Sequence, residues 1–222
     1  MSGRCMVERF QRGGVRGFLH RPDVQLGMGA VLAHGAGANC EAKILVAVAD
    51  ALCGAGFVVL RIDMPFRQKR PTGPPLPGSA AEDRAGLREA VDALRSLSRG
   101  RIVLGGHSYG GRMSSMLAAE DSSVADALLL LSYPLHPPTK RDQLRTAHLP
   151  DVRTPALFVH GTRDPFGLPD EMREALKLLA GRVEFREVAG AGHDLRSGKF
   201  DVQGLLIEPL LDVLGPSDTV KS

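Results

Sequence analysis

Short apolar runs recur along the chain, and most are followed by a stretch of helical periodicity. Ala30 to Ala33, Phe57 to Ile62, Arg101 to Gly105, Ala127 to Ser132 and Ala156 to His160 are such runs. Continuous apolar character over this length marks strands buried on both faces of a sheet. Helical stretches are predicted over Glu41 to Cys53, closed by Gly54 and Gly56, over Ala80 to Leu97, and over Arg112 to Glu120. Two more are predicted over Asp170 to Leu179 and Phe200 to Leu214, the last kinked or interrupted by Pro209. Near the start, Val15 to His20 reads as a short strand paired with Val7 to Phe10 through an Arg12-Gly13-Gly14 turn. Val183 to Val188 alternates like a strand near an edge. Strands alternating with helices predict an α/β fold with a mostly parallel sheet covered on both faces. Residues 1–222 read as a single domain without internal repeats, with a polar, frayed tail from Gly215 to Ser222. Two long irregular stretches remain, Pro65 to Ser79 and Tyr133 to Thr154. Loops of that length in a domain are usually functional or mobile.

At 222 residues the chain is long enough to bury a substantial core. Its net charge of +3 comes from scattered residues, mostly arginines, with no long basic run. That balance argues against nucleic acid or a membrane surface as partner. No apolar run approaches the ~18 residues of a membrane span. The polar N-terminal stretch lacks the apolar core of a secretory signal. The three cysteines, Cys5, Cys40 and Cys53, are odd in number and follow no framework spacing. They predict reduced thiols in a cytoplasmic protein rather than a disulfide-stapled one. With no C-x-x-C, no H-E-x-x-H and no H-x-x-E-H, neither a metal nor another cofactor is expected.

The chemistry concentrates where the strands end. Val103 to Gly105 leads into Gly106-His107-Ser108-Tyr109-Gly110 and then into a helix. A nucleophilic serine in G-x-S-x-G sits on a sharp strand-to-helix turn, so the positions two before and two after it must be small. Gly106 and Gly110 meet that demand. The same letters occur at other glycine-rich strand ends, so the elbow needs partners. In this kind of sheet an acid and then a histidine follow the serine. Asp164 follows the run Ala156 to His160, and His193 follows Val183 to Val188. All three lie at carboxyl ends of strands, the edge where open α/β sheets place their sites. His193 is the expected general base, and Asp164 the group that fixes its tautomer, with Asp194 a minor alternative. An oxyanion hole needs two N–H donors. Tyr109 should supply one. Ala36, in the loop His34-Gly35-Ala36-Gly37, should supply the other, with Gly37 the alternative donor. His34 reads as a structural hydrogen-bonding residue under that loop, and His107 as a filler of the elbow. His136 and His148 are expected to be exposed on the long loop.

These motifs give the chain a resemblance to the α/β-hydrolases. More narrowly, it resembles a small family of compact bacterial predicted hydrolases. That family also holds a vertebrate testis-expressed protein and the hydrolase-like subunit of the NSL chromatin acetyltransferase complex. The resemblance runs through Leu32 to Ala38, Leu60 to Phe66, Gly105 to Met113, Ser132 to Pro138, Gln143 to Thr146, Gly161 to Gly167 and His193 to Leu195. It implies the α/β-hydrolase fold and a Ser108–Asp164–His193 triad. In the elbow the family pattern has Lys and Met where this chain has His107 and Tyr109, and Tyr109 is expected to alter the pocket wall. A broader resemblance to dienelactone hydrolases also exists, but those carry Cys at the position of Ser108.

The expected function is a cofactor-free serine hydrolase cleaving a small ester or thioester through an acyl-enzyme. The strand spacing leaves no room for a large cap domain, so Ser132 to Pro155 is the one candidate lid. Arg67, Arg70, Arg112 and Arg145 lie in or near the active edge, where one could meet a substrate carboxylate. A non-catalytic interaction module and an acyltransferase using the same triad are the competing readings. The expected partner is a small-molecule acyl substrate, and the chain is expected to be a monomer or a homodimer.

Overall fold

A computed structural model of the protein describes residues 4–195, 201 and 203–215. The strands are β1 (Cys5–Arg12), β2 (Val15–Pro22), β3 (Met28–Ala33), β4 (Phe57–Ile62), β5 (Ile102–His107), β6 (Ala127–Leu131), β7 (Ala156–Gly161) and β8 (Val183–Val188). The helices are α1 (Lys43–Gly54), α2 (Pro65–Lys69), α3 (Ala80–Arg95), α4 (Tyr109–Glu120), α5 (Pro169–Leu176) and α6 (Glu208–Leu214). The strands form one sheet in the order β1-β2-β4-β3-β5-β6-β7-β8. β1 and β2 make an antiparallel hairpin through Gly13-Gly14, β2 runs antiparallel to β4, and every other pairing is parallel.

Successive side chains of a strand point to opposite faces, so the apolar runs feed two cores. Val31, Ala33, Leu104, Leu128 and Leu130 pack with α3, α4 and α5. Ala30, Leu32, Val103, Leu129 and Leu131 pack with α1 and α6. Every residue of β3, β4, β6 and β7 is buried, as runs without polar alternation require. The two edges look different. β1 is largely exposed and carries Met6 and Val7 on its surface, while β8 is half-buried throughout most of its length.

Several sequence expectations are adjusted. The helix after the elbow begins at Tyr109 rather than Arg112, because the turn at Ser108 feeds directly into it. The stretch from Pro65 contains α2, whose proline occupies the first turn, where its missing N–H costs nothing. The long loop after β6 holds a single 3₁₀ turn at Leu149–Asp151. At the C-terminal end a π-helical turn, Gln203–Ile207, precedes α6, and Pro209 sits in the first turn of α6 rather than within a continuous helix. Phe200, the expected start of that helix, and residues 216–222 of the expected tail lie outside the described residues.

The expectation of reduced cysteines is not met, since Cys5 and Cys53 are joined by a disulfide. The two residues are 48 positions apart and meet because the N-terminal edge strand passes the end of α1. That meeting is a product of sheet order, which no cysteine spacing encodes. Cys40 is free and buried, and burial together with the nearby Asp63 carboxylate pushes its thiol up to about 12. Among the described residues no helix is long and apolar enough to cross a membrane.

Candidate active site

The elbow is built from glycines that nothing larger can replace. A Cβ on Gly106 would lie 2.0 Å from the Ala33 carbonyl oxygen, and one on Gly110 would lie 2.4 Å from the same atom. With those contacts free of side chains, β5 presses against β3 and turns sharply. Ser108 adopts φ +52° and ψ −115°, a strained conformation for a residue with a side chain. Its N–H donates to Leu131 O (2.9 Å) and its carbonyl accepts from Arg112 N–H (2.9 Å), so the surrounding sheet and helix hold the strain in place.

His193 and Asp164 reach the same point from the ends of β8 and β7. His193 Nε2 lies 2.8 Å from Ser108 Oγ, and His193 Nδ1 lies 2.8 Å and 3.0 Å from the two Asp164 carboxylate oxygens. A carboxylate can only accept, so Nδ1 carries the proton and Nε2 is left to accept from the serine hydroxyl. Asp164 is fully buried, and its Oδ1 also accepts the Phe166 N–H (2.9 Å). Behind it, His160 donates Nε2–H to Gly167 O (2.7 Å), and its burial pushes its pKa down, so it stays neutral beside the carboxylate. The structure therefore brings Ser108, His193 and Asp164 together in hydrogen-bonding sequence. Asp194 is not the acid that meets His193 Nδ1.

The histidine is braced on two further sides. Phe166 lies against its ring with centroids 4.2 Å apart. His107 donates Nε2–H to the His193 carbonyl (2.7 Å), and burial holds the His107 pKa down at about 4. His107 thus contacts His193 as well as occupying the elbow. Phe166 was not among the expected site residues, because a lone aromatic after Asp-Pro gives no signal until β7 and β8 are set side by side.

The expected oxyanion donors flank the serine. Tyr109 is the first residue of α4, where an N–H has no intrahelical acceptor. Across from it, Ala38 N–H turns back onto Gly35 O (3.1 Å), leaving the Ala36 and Gly37 N–H groups without a backbone acceptor among the described residues. Two residues fix this loop. His34 receives Met64 N–H at Nε2 (3.1 Å) and donates from Nδ1 to Gly35 O (2.8 Å). Buried Arg67 donates to Ala36 O (2.9 Å), Ala38 O (2.6 Å), Gly73 O (2.9 Å) and Arg70 O (3.0 Å). One guanidinium thereby ties the loop after β3 to the proline-rich segment.

The pocket in front of Ser108 holds about 550 Å³. Pro74, Pro75, Pro134 and Phe166 give it apolar walls, and Arg112 and Arg145 give it charge. Tyr109 lines it as well, but its hydroxyl is committed to Asp83 Oδ2 (2.7 Å) on α3. The expectation of exposed loop histidines is not met either. His136 is fully buried, and His148 is half-buried with Nε2 2.8 Å from Ser115 Oγ, because the long loop folds back onto α4 and α5. Among the described residues no group of three or more His, Cys, Asp or Glu side chains could hold a metal ion.

The fold is that of an α/β-hydrolase, and comparison with known proteins agrees. The model of the alpha/beta hydrolase domain family matches residues 28–204, and the chain belongs to that family. Among solved structures it is similar to TT1662 from Thermus thermophilus, with 21% identity and a TM-score of 0.74, over 96% of this chain and 99% of that one. It is similar to a dienelactone hydrolase from Anabaena variabilis, with 21% identity and a TM-score of 0.66, over 88% and 90% of the two chains. A lidless α/β serine hydrolase from Xanthomonas campestris is 19% identical with a TM-score of 0.64, over 90% of each chain. At these identities the likeness is one of fold.

Proposed function

We propose that the protein is a serine hydrolase that cleaves small ester or thioester substrates through an acyl-enzyme. The observation that carries this reading is the unbroken relay from Ser108 Oγ through His193 to buried Asp164, with contacts of 2.8 Å at each step. In the proposed cycle His193 Nε2 takes the hydroxyl proton as Ser108 Oγ attacks the scissile carbonyl. The oxyanion that forms accepts hydrogen bonds from Tyr109 N–H and from Ala36 N–H, with Gly37 N–H as the alternative. His193 returns the proton to the leaving group, and Asp164 stabilises the transient imidazolium. Water then attacks the acyl-enzyme by the same route, giving the acid and free Ser108.

The open pocket and the lack of an inserted cap favour short, soluble acyl groups. A panel of p-nitrophenyl esters from acetate to decanoate, run with wild type and Ser108→Ala, tests the reading. Hydrolysis confined to wild type and to short chains is expected. A folded wild-type protein inert toward the whole panel would contradict it and favour a non-catalytic role.

A further inference from the structure

We propose that the pocket beside Ser108 holds an ionised carboxylate between Arg112 and Arg145. The favoured substrates are then esters or thioesters that carry a second, anionic carboxylate. The binding site itself stands on the two arginines, while the ester chemistry rests on the serine-hydrolase reading above.

The arginines of this protein that sit in or near packed surroundings are mostly matched. Arg67 donates to four carbonyls, Arg84 pairs with Glu120 at 2.8 Å, and Arg88 pairs with Asp121 at 2.6 Å. Arg112 and Arg145 enter none of the ion pairs found among the described residues. Yet both line the catalytic pocket. Arg112 Nε is buried without a hydrogen-bond partner, while the Arg112 side chain also hydrogen-bonds the Tyr133 hydroxyl. A buried donor left unpaired costs free energy that a bound acceptor would recover. Both guanidiniums line this one pocket, and burial and then the Arg112 charge lower the Arg145 pKa. His148, near Arg112, is held at about 4 by burial and then by Arg112 and Arg84, so it stays neutral and the positive charge here is that of the arginines. Among the described residues that line the pocket there are two arginines and no carboxylate.

The pair is also held in place. Arg145 Nη1 donates to Pro134 O (3.2 Å), Arg145 N–H donates to Leu135 O (2.8 Å), and Arg145 O accepts from the buried Tyr133 hydroxyl (2.7 Å). Arg112 stands one helical turn after Ser108 on α4. Side chains four apart on a helix start roughly 6 Å from each other. An anion at the guanidiniums would lie a few bonds from a carbonyl at Ser108, with Pro134 and Phe166 beside the intervening chain. Guanidinium forks match the planar geometry of a carboxylate.

Calorimetric titration of the Ser108→Ala protein with monomethyl adipate and with dimethyl adipate tests this without turnover. The monoanion should bind at least about ten-fold more tightly than the diester, since a charge-assisted hydrogen bond is worth about that much or more. Arg112→Gln and Arg145→Gln, each combined with Ser108→Ala, should abolish that preference, and Arg112→Lys and Arg145→Lys should retain part of it. Arg88→Gln, a control for net charge, should leave the preference in place. Equal affinities, failure of the monoanion to bind, or a preference that survives both Gln variants would overturn the proposal. Wild-type kcat/KM on 4-nitrophenyl hemiadipate and 4-nitrophenyl hexanoate then separates the two claims. Selective binding of the monoanion with neither ester cleaved would sink the hydrolase reading and leave the anion site standing. Cleavage of both esters at equal kcat/KM would sink the anion site alone.

Discussion

The Tyr109 hydroxyl donates to the fully buried Asp83 carboxylate at 2.7 Å, and so bolts the first residue of α4 to α3. Asp83 Oδ1 is taken by the Phe66 N–H (3.0 Å) at the start of α2, and the Phe66 and Tyr109 rings meet edge-on. Three elements around the site thus share one carboxylate. Burial pushes the Asp83 pKa up, which marks the cost of keeping that charge inside. Tyr109→Phe removes one of its two hydrogen bonds and should destabilise the protein by about 1.5–3 kcal/mol. Urea unfolding measures this, and a loss below ~0.5 kcal/mol would show that the link is not what holds α4 to α3.

Asp164 sets both the tautomer and the orientation of His193. Asp164→Asn should present the wrong tautomer and lower kcat by roughly 10⁴ while leaving KM nearly alone. The measurement is steady-state hydrolysis of whichever p-nitrophenyl ester wild type turns over best. Near-normal kcat in this variant would mean that another acid serves the histidine.

Arg67 is not among the residues that line the pocket in front of Ser108, but its carbonyl contacts hold the loop that carries Ala36, the proposed oxyanion donor. Arg67→Lys cannot reproduce that fork. A loop displaced by about 1 Å should cost on the order of 10²-fold in kcat, with a much smaller change in KM. A variant changed only in thermal stability would assign Arg67 a purely structural role.

Acid should weaken the fold through its buried histidines. His20, His107 and His148 are each held at about 4, chiefly by burial, with Arg61 adding to the effect at His20. In the unfolded chain histidine titrates near 6.5. Between those values the unfolded state binds protons that the native state refuses, so stability falls as pH falls. Each of the three should contribute up to about 1.4 kcal/mol per pH unit across that window, fading out above about pH 7.5. Urea unfolding at pH 7.5, 5.5 and 4.5 checks the slope, and a flat profile would contradict it.

Much of this fold could be read from the chain because its strands are buried on both faces. Runs such as Phe57 to Ile62 and Leu128 to Leu131 need no tertiary information to be recognised. The elbow was equally visible, since the clashes that forbid a side chain at Gly106 and Gly110 leave glycines in the sequence. The order serine, acid, histidine followed from where the strands end. What stayed hidden depends on elements far apart in sequence. The Phe166 stack on His193, the fork of Arg67 and the Tyr109–Asp83 bond each require a sheet order before either partner has meaning. The Cys5–Cys53 disulfide is the same case, and counting cysteines pointed the wrong way. His136 went inside because the loop that carries it packs down, which its polar and proline-rich composition does not announce.

The central claim is that Ser108 is an activated nucleophile. Treatment with a fluorophosphonate probe followed by peptide mass mapping tests it most directly, because the adduct forms only at a serine whose proton is being withdrawn. A single adduct on the peptide containing Ser108, lost in Ser108→Ala and slowed in Asp164→Asn, is the predicted result. No adduct in folded wild-type protein, or labelling that persists in Ser108→Ala, would contradict the claim.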